Sequence, residues 1–232
     1  MKKVLVAACL AISVLLGPMG AQALSNPKAS GSLNSSEVAF GLKEALFVAA
    51  KNAAGLASQV DGFYKNPAIF IPFPPEAKAM KNTLETIGLK KPVEDFVKTL
   101  NRAAEEAAKK AGPIFLGAIK ELTIQDGYQI LRGPDDAATS YLRRKTSSRL
   151  NAAFRPVVRK AIAKVGVTKY WTPLVKRYNQ IPFVQRVNPN LDGYVTERAI
   201  SGLFKLMANE ERKIRRDPAA RVTDILRRVF GS

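Results

Sequence analysis

The sequence contains no histidine, and Cys9 is its single cysteine among 232 residues. Histidine is the commonest general base and metal ligand, so its absence removes most familiar routes to acid–base, nucleophilic and zinc chemistry. One cysteine cannot form an internal disulfide. Motifs for a serine nucleophile elbow, a phosphate loop and a calcium loop are also missing. The composition therefore predicts neither a metal nor another cofactor.

Long apolar runs are scarce, and the one that stands out lies at the N-terminus. Two lysines precede the apolar residues 4–16, and the small-residue segment Ala21-Gln22-Ala23 follows. This order is typical of a secretory signal peptide cleaved after Ala23, which we favour over lipidation at Cys9 because little apolar chain precedes that cysteine. Removing residues 1–23 leaves 209 of the 232 residues and lowers the net charge from +18 to +16. We expect an exported, periplasmic protein.

The rest of the chain has helical periodicity. Apolar residues recur three and four positions apart in several segments, and no stretch alternates as a strand does. Residues 24–34 are small and polar, and we expect them to form a flexible N-terminus. From Ser35 or Ser36, either of which can cap a first helix, the pattern predicts one all-α, multi-helix bundle over residues 35–232. Within it, residues 191–216 are predicted to form one long helix.

A proline-rich segment, which we call the strap, interrupts this pattern at residues 66–75 (NPAIFIPFPP). Four prolines among large apolar residues exclude a helix interior, because proline lacks a backbone donor and biases its predecessor toward extended geometry. The strap either crosses helix faces as part of the core or forms a lip over a ligand cavity. We favour the core; in the second case Phe70, Ile71 and Phe73 are the candidate cavity residues.

Three stretches together carry a resemblance to a known family. They are LNRAAEEAAKKAGPIFLGAIKELTIQDGYQIL (100–131), YLRRKTSSRL (141–150) and DGYVTERAISGLFKLMANEERKIRRDPAARVTDILRRVFG (192–231). The chain resembles the bacterial domain-of-unknown-function family 4197, a group of exported helical proteins, from about Glu37 to its end. The resemblance implies a helical fold and export, and it brings no activity, cofactor or catalytic residue.

Basic residues outnumber acidic residues by 37 to 19. A broadly positive surface attracts anionic partners, although high charge also serves solubility alone, and we weight the two interpretations equally. Many of the bases lie in segment 133–165, the longest stretch that reads as one helical unit, and others lie near the C-terminus. The residues predicted to form the basic surface are Lys145, Arg149, Arg155, Arg159, Lys160, Lys164, Arg215 and Arg216.

Arg143 does not fit the pattern of segment 133–165. Continued on one helical frame, its side chain falls in the sector that later holds Phe154 and Ala161. Either the helix breaks near residues 146–148, or Arg143 lies on the interior side, where an unpaired charge costs several kcal/mol. We favour a break, or an arginine whose stem crosses apolar surface while its head reaches water.

Charged residues also occur where alanine-rich packing is predicted. We expect a buried polar network or an anion-binding site among Arg102, Glu106, Asp126, Arg143 and Arg144, because a carboxylate–arginine network can fix the register between helices. The adjacent acid pairs at 105–106, 135–136 and 210–211 are interpreted as helix-end and surface acids, since neighbouring helical residues lie about 100° apart and do not share a site.

Three hypotheses about function follow. The first is a non-catalytic exported protein that binds an anionic or amphiphilic envelope component (a lipid, lipopolysaccharide or an acidic polymer) and contacts the membrane peripherally. The second is a periplasmic scaffold or assembly partner. The third, which we rank last, is a histidine-free enzyme that uses carboxylate and arginine groups. Nucleic acid is a weak candidate, because export separates the protein from it and no aromatic-interleaved binding motif is present.

Overall fold

The computed structural model describes residues 34–230 except 87, 165–166, 181, 184–185, 189 and 222, and it describes only the backbone of 167–170, 174 and 177. The expected signal peptide, residues 1–23, and the expected flexible segment up to residue 33 lie outside the described residues. Every regular element in the described part is a helix, which confirms the all-α prediction.

The described part contains nine α-helices and two short 3₁₀ turns. The turns are residues Pro75–Ala77 and Pro218–Ala220, and the helices are α1 (Ser35–Ser58), α2 (Lys78–Thr86), α3 (Lys90–Ala108), α4 (Ala111–Lys120), α5 (Ile124–Leu131), α6 (Ala137–Lys164), α7 (Val167–Tyr178), α8 (Leu191–Arg216) and α9 (Asp224–Phe230). Helix α8 packs against α1, α3 and α6, and α6 packs in turn against α3, α4 and α5. Among these elements, none is long and apolar enough to cross a bilayer.

The first helix begins one residue earlier than predicted, because Asn34 caps it instead of Ser35 or Ser36. Asn34 Oδ1 accepts the Glu37 N–H at 2.8 Å, and Glu37 Oε2 accepts the Asn34 N–H at 3.1 Å. This reciprocal pair satisfies two donors that the helix itself leaves free. The bond from Asn34, together with one from Arg228, lowers the pKa of Glu37.

Small residues let the central helices approach closely. Ala103, Ala104, Ala107 and Ala108 of α3 are all fully buried, as the alanine-rich sequence predicted. Glycine has the same use on α8: a Cβ added at Gly202 would lie 2.9 Å from the ring of Phe63 and 3.1 Å from Ile69 Cβ. The turn and strap that follow α1 therefore pack directly onto the backbone of α8.

Helix α6 continues through residues 146–148, so the predicted break is wrong. The Thr146 hydroxyl donates to the Leu142 carbonyl at 2.6 Å, and the Ser147 hydroxyl donates to the Arg143 carbonyl at 2.6 Å. Both hydroxyls thus find partners one turn back in the same helix. Thr146 is fully buried, so its bond leaves no unpaired hydroxyl inside this 28-residue helix.

The strap lies in the core, as we favoured. Ile69, Ile71 and Phe73 are buried, whereas Phe70 between them is 37 % exposed, so alternate side chains point inward as expected for extended backbone. Phe73 packs on the rings of Phe96 and Trp171, with centroid separations of 5.1 and 5.7 Å. Ile71 and Phe73 therefore fill the core and are not a lip over an open cavity.

Asn101 of α3 fixes the strap through its amide group. Its Oδ1 accepts the Ile71 N–H at 2.9 Å, and its Nδ2 donates to the carbonyls of Ile71 and Val97, each at 2.8 Å. One buried side chain thereby satisfies both backbone groups of Ile71, which has no strand neighbour. On the other side, the Tyr194 hydroxyl of α8 donates to the Pro72 carbonyl at 3.1 Å.

Replacing Asn101 by alanine should lower the free energy of unfolding by about 2 to 4 kcal/mol, because the N–H and C=O groups of Ile71 then remain buried without partners. The exposed Asn52, whose amide donates to Glu210 at 3.1 Å, supplies the matched control. Asn52→Ala should change stability by no more than about 0.5 kcal/mol. Urea denaturation measures both values, and equal losses would contradict the role given to Asn101.

Candidate functional site

A buried carboxylate on α3 organises the turn that leads into the strap. Glu105, 4 % exposed, accepts the N–H groups of Phe63 and Tyr64 on Oε1 at 3.1 and 3.2 Å. Its Oε2 pairs with Arg102 Nη1 at 2.6 Å, and Arg102 Nη2 reaches Asp61 at 2.5 Å. The charge of Glu105 is thus balanced by a guanidinium and solvated by two backbone donors, which is the condition for burying a carboxylate.

Asp61, at the more exposed end of this cluster, also forms ion pairs. Hydrogen bonds from Lys65 and Arg102 lower the pKa of Asp61. The pKa of Arg102 is raised, first by the hydrogen bond to Glu105 and then by that to Asp61. Asp61 has a φ of 70°, in the left-handed region that non-glycine residues seldom adopt. These pairings help to hold the turn in that conformation.

A second buried carboxylate lies on α8 and caps α6. Glu211, 7 % exposed, accepts the N–H of Ala138 on Oε1 at 3.0 Å and that of Thr139 on Oε2 at 2.8 Å. These donors belong to the first turn of α6 and have no partner within the helix. Arg215 Nη2 pairs with Glu211 Oε1 at 3.0 Å and donates to the Ile130 carbonyl at 2.9 Å. One pair therefore ties α8 to α5 and to α6.

Sequence reasoning missed both glutamates. The interpretation of the acid pairs as helix-end and surface groups is wrong for Glu105 and Glu211, each of which is the buried member of its pair. The signal lay in their spacing. Glu211 follows the buried Met207 by four residues, and Glu105 follows the buried Asn101 by four within the alanine-rich face of α3. Arg215, predicted to lie on the basic surface, is instead largely covered where it packs against Glu211, with 10 % of its side chain exposed.

The predicted network of five residues does not form as one cluster. Arg102 joins a buried network, but its partner is Glu105 and not Glu106. Glu106 is exposed and pairs with Lys109 at 2.6 Å. The prediction that Glu106 belongs to a buried network is therefore wrong. Neighbouring helical residues are rotated by about 100°, which carries the Glu106 side chain out of the interface.

Asp126 caps the start of α5. Its Oδ2 accepts the Thr123 N–H at 3.0 Å, while Thr123 Oγ1 accepts the Asp126 N–H at 3.1 Å. The Thr123 hydroxyl also donates to Asp126 Oδ2 at 2.7 Å, and this bond, followed by the bond from the Thr123 N–H, lowers the pKa of Asp126. The Tyr141 hydroxyl also lies 3.4 Å from Asp126 Oδ2, and its pKa is raised first by burial and then by that carboxylate. This site is a local cap, separate from the networks at Glu105 and Glu211.

Arg143 and Arg144 are both exposed, so neither is a buried network member. The guanidinium carbon of Arg143 lies 4.6 Å from the ring centroid of Phe204, whose side chain is fully buried. Arg143 therefore covers an aromatic face while its charged head remains in water, which is the snorkelling alternative of the sequence prediction.

The other predicted surface bases are exposed, and several pair with carboxylates. Arg149 pairs with Glu121, and Arg216 pairs with Asp135. Among the described residues, five exposed α6 cations have no carboxylate within salt-bridge distance. They are Arg143, Arg144 and Lys145 in the first half of the helix and Lys160 and Lys164 at its end.

A single carboxylate serves two of the α6 arginines. Asp192 Oδ2 lies 3.1 Å from Arg155 Nε and 3.0 Å from Arg159 Nη2. Partial burial raises the pKa of Asp192, but the hydrogen bonds from Arg159 and Arg155 outweigh this effect and lower it overall. These contacts join the first turn of α8 to the second half of α6.

Four of the predicted residues meet in a groove between α3 and α6. The groove has a volume of about 660 Å³, within the range of small-molecule sites. Most of its surface area is apolar, and four of its nine lining residues carry a charge. Helix α3 contributes Thr99, Arg102, Ala103 and Glu106, and helix α6 contributes Pro156, Val157, Lys160, Ala161 and Lys164.

The chemistry of this groove, which we call the α3–α6 groove, is that of an amphiphilic site. Ala103, Val157 and Ala161 supply apolar surface for a hydrocarbon segment. Lys160 and Lys164 carry ammonium groups without carboxylate partners among the described residues, whereas Arg102 is engaged with Glu105 and Asp61. The lysines can therefore bind an anion without first breaking an internal pair.

The fold and the groove define the class of this protein, an all-α protein with a cationic, largely apolar groove between two helices. The family is shown by the sequence: a family model described as "Protein of unknown function (DUF4197)" matches residues 32–231, and the chain belongs to that family. Comparison with curated proteins and with solved structures gave no match.

Replacing Arg143 by alanine should cost about 0.5 to 1 kcal/mol, the value of an exposed cation–aromatic contact. A buried, paired arginine would instead cost about 3 to 5 kcal/mol. Thermal and urea unfolding of the Arg143→Ala variant distinguish the two values. Arg215→Ala is the contrasting variant, because Arg215 is largely covered and its loss leaves the buried Glu211 without its ion-pair partner. This variant should fall in the larger range.

Stability should be nearly constant from pH 5 to 8 and decline in acid. The pKa values of Glu37, Asp61, Asp126 and Asp192 are lowered in the folded protein. A carboxyl of this kind stabilises the folded state above its unfolded pKa, near 4, and the contribution disappears as the pH falls through the lower folded value. Histidine, the usual titrating group near neutrality, is absent from the sequence. Melting temperatures across pH 2 to 8 test this, and a transition centred between pH 6 and 7 would contradict it.

Proposed function

We propose that this protein is exported to the periplasm and binds an anionic amphiphile of the envelope, without catalysing a reaction. The α3–α6 groove is the binding site in this proposal. The hydrocarbon part of the ligand lies against Ala103, Val157 and Ala161, and its anionic headgroup lies between Lys160 and Lys164. The observation that carries the proposal is the combination of a mainly apolar lining with two lysines that have no carboxylate partner among the described residues.

The distribution of charge along α6 supports this choice of site. Arg149, Arg155 and Arg159 are engaged by carboxylates of α8 or of the α4–α5 connection, so an incoming anion would compete with existing ion pairs. Lys160 and Lys164 are one helical turn apart and therefore project on the same side of α6. Two ammonium groups at this spacing can contact one phosphate or carboxylate headgroup.

The general charge of the protein fits the proposed compartment. The envelope offers anions in the form of lipid headgroups, lipopolysaccharide phosphates and acidic polymers. A net charge of +16 after removal of the signal peptide would concentrate such anions near the protein surface. The amphiphile is preferred to an acidic polymer because the groove lining is mainly apolar, and a polymer of charged units has no use for that surface.

Glu106 and Arg102 share the groove, which is the arrangement that a histidine-free enzyme would require. Arg102 is held by Asp61 and Glu105, and Glu106 pairs with the exposed Lys109. In these positions Arg102 has a structural role at the turn before the strap, and Glu106 belongs to a surface ion pair. We therefore assign the groove to binding.

Lysophosphatidylglycerol, which has one acyl chain and an anionic headgroup, is a suitable probe for titration of the chain that begins at Leu24. Replacing both Lys160 and Lys164 by alanine should weaken its binding by about tenfold or more, equivalent to about 1.4 kcal/mol. The matched control replaces Arg144 and Lys145 by alanine, which removes the same charge from the exposed surface of the same helix. The control should bind as the unchanged protein does.

A second variant tests the apolar part of the site. Ala161→Trp places a large side chain in the groove and should abolish binding of lysophosphatidylglycerol while leaving the protein folded. Equal weakening by both lysine-pair and control variants would show that only net charge matters. Unchanged binding by Ala161→Trp, with a melting temperature near that of the parent protein, would exclude the α3–α6 groove as the site.

A further inference from the structure

Helices α1 and α4 expose large apolar side chains that are not part of the lining of the α3–α6 groove. Phe40 is 61 % exposed, Phe47 is 40 % exposed and Leu116 is 37 % exposed. Phe40 and Phe47 are seven residues apart and therefore share one face of α1. Phe47 and Leu116 flank a shallow groove of about 240 Å³ whose other lining residues include Ala50 and Ala54.

Lysines surround these apolar side chains. Lys43 and Lys51 lie on the same part of α1, and Lys120 lies one turn beyond Leu116 on α4. Lys43 Nζ donates to the Lys120 carbonyl at 3.4 Å, which places the two helices side by side at this point. None of the three lysines has a carboxylate within salt-bridge distance among the described residues.

Two of the three carboxylates on or next to these elements are paired: Glu37 with Arg228 at 2.9 Å and Glu121 with Arg149 at 3.2 Å. Glu44 is partly exposed, as Lys43 is, and it offsets one of the three lysine charges. The surface formed by Phe40, Phe47 and Leu116 with Lys43, Lys51 and Lys120 is thus apolar at its centre and cationic at its edge. We call this surface the α1–α4 face.

We propose that the α1–α4 face docks on the surface of a lipid bilayer that contains anionic headgroups. The phenylalanines and Leu116 enter the boundary between headgroups and acyl chains, and the lysines lie at headgroup level, where each adds attraction to anionic lipid. The face contacts the bilayer as a whole, whereas the α3–α6 groove takes one amphiphile. The proposal goes beyond the proposed function, and either can fail without the other.

Charge decides between a bilayer and a second copy of the chain as the occupant. In a two-fold symmetric dimer the same patch meets itself, so both sides of the interface would carry the excess positive charge of three lysines over one glutamate. Like charges brought together across an interface oppose association. An anionic bilayer instead neutralises all three lysines at once, and it also covers the exposed phenylalanines.

The test is flotation of the chain that begins at Leu24 with vesicles of phosphatidylcholine containing phosphatidylglycerol, compared with vesicles of phosphatidylcholine alone. Replacing Phe40 and Phe47 by serine should reduce binding to the anionic vesicles about tenfold or more. The control replaces Phe70 and Leu89 by serine. These two residues are also exposed but lie outside the α1–α4 face. The control should bind as the parent does, and melting curves establish that all variants fold.

Charge reversal provides a second variant should the serine substitutions lower stability. Lys51→Glu combined with Lys120→Glu should reduce binding to the anionic vesicles at low salt, and high salt should reduce binding of the parent protein in the same way.

Phe40→Ser with Phe47→Ser should retain binding of lysophosphatidylglycerol, while Ala161→Trp should retain binding to vesicles. This crossed pattern separates failure of the docking proposal from failure of the groove proposal.

Three outcomes would overturn the docking proposal. The first is equal vesicle binding by the parent and by the Phe40→Ser, Phe47→Ser variant. The second is equal loss in that variant and in the Phe70, Leu89 control. The third is a dimer seen by analytical ultracentrifugation at micromolar concentration that disappears in the Phe40, Phe47 variant, which would assign the face to a second copy of the chain.

Discussion

The fold depends on two glutamates that are buried in a protein with almost twice as many basic as acidic residues. Glu105 holds the turn before the strap against α3, and Glu211 of α8 caps the first turn of α6. Each is balanced by an arginine on its own helix, Arg102 or Arg215. Because a buried charge that loses its partner costs several kcal/mol, each pair admits few alternative arrangements of the segments it joins.

These internal pairs also determine which charges remain available at the surface. The scarce carboxylates are used at helix starts, between helices and in the two buried pairs, as at Asp126, Asp192 and Glu211. The remaining cations form distinct groups, of which Lys160 and Lys164 at the α3–α6 groove are one. The excess positive charge is therefore concentrated in a few groups of unpaired cations. Because these groups lie beside different apolar residues, the two proposed binding surfaces differ in chemistry.

Sequence reasoning predicted the helical class, the long helix 191–216 and the burial of the strap, because each leaves a periodic or compositional signal. It also predicted that Arg102 would enter a carboxylate–arginine network. The partner residue was wrong, since a shift of one residue on a helix rotates a side chain by about 100° and exchanges Glu105 for Glu106. Periodicity could not predict that a side chain of α8 caps α6, because Glu211 and Ala138 are 73 residues apart and meet only in the folded chain.

The candidate site was harder to predict than the fold for the same reason. Arg102, Glu106, Lys160 and Lys164 were all candidates, but they were assigned to separate groups, a buried network and a basic surface. Only the packing of α3 on α6 brings them to one groove. The exposed Phe40 and Phe47 of α1 were not singled out, because the sequence does not show which side of a helix lacks a partner.

The central claim is that an anionic amphiphile occupies the α3–α6 groove. Native mass spectrometry of the protein purified from bacterial envelopes under mild conditions tests it most directly. We expect a species heavier than the polypeptide by the mass of one anionic amphiphile, and we expect the Ala161→Trp variant to lack it. A parent protein that carries no amphiphile, or an adduct that Ala161→Trp retains in full, would contradict the claim.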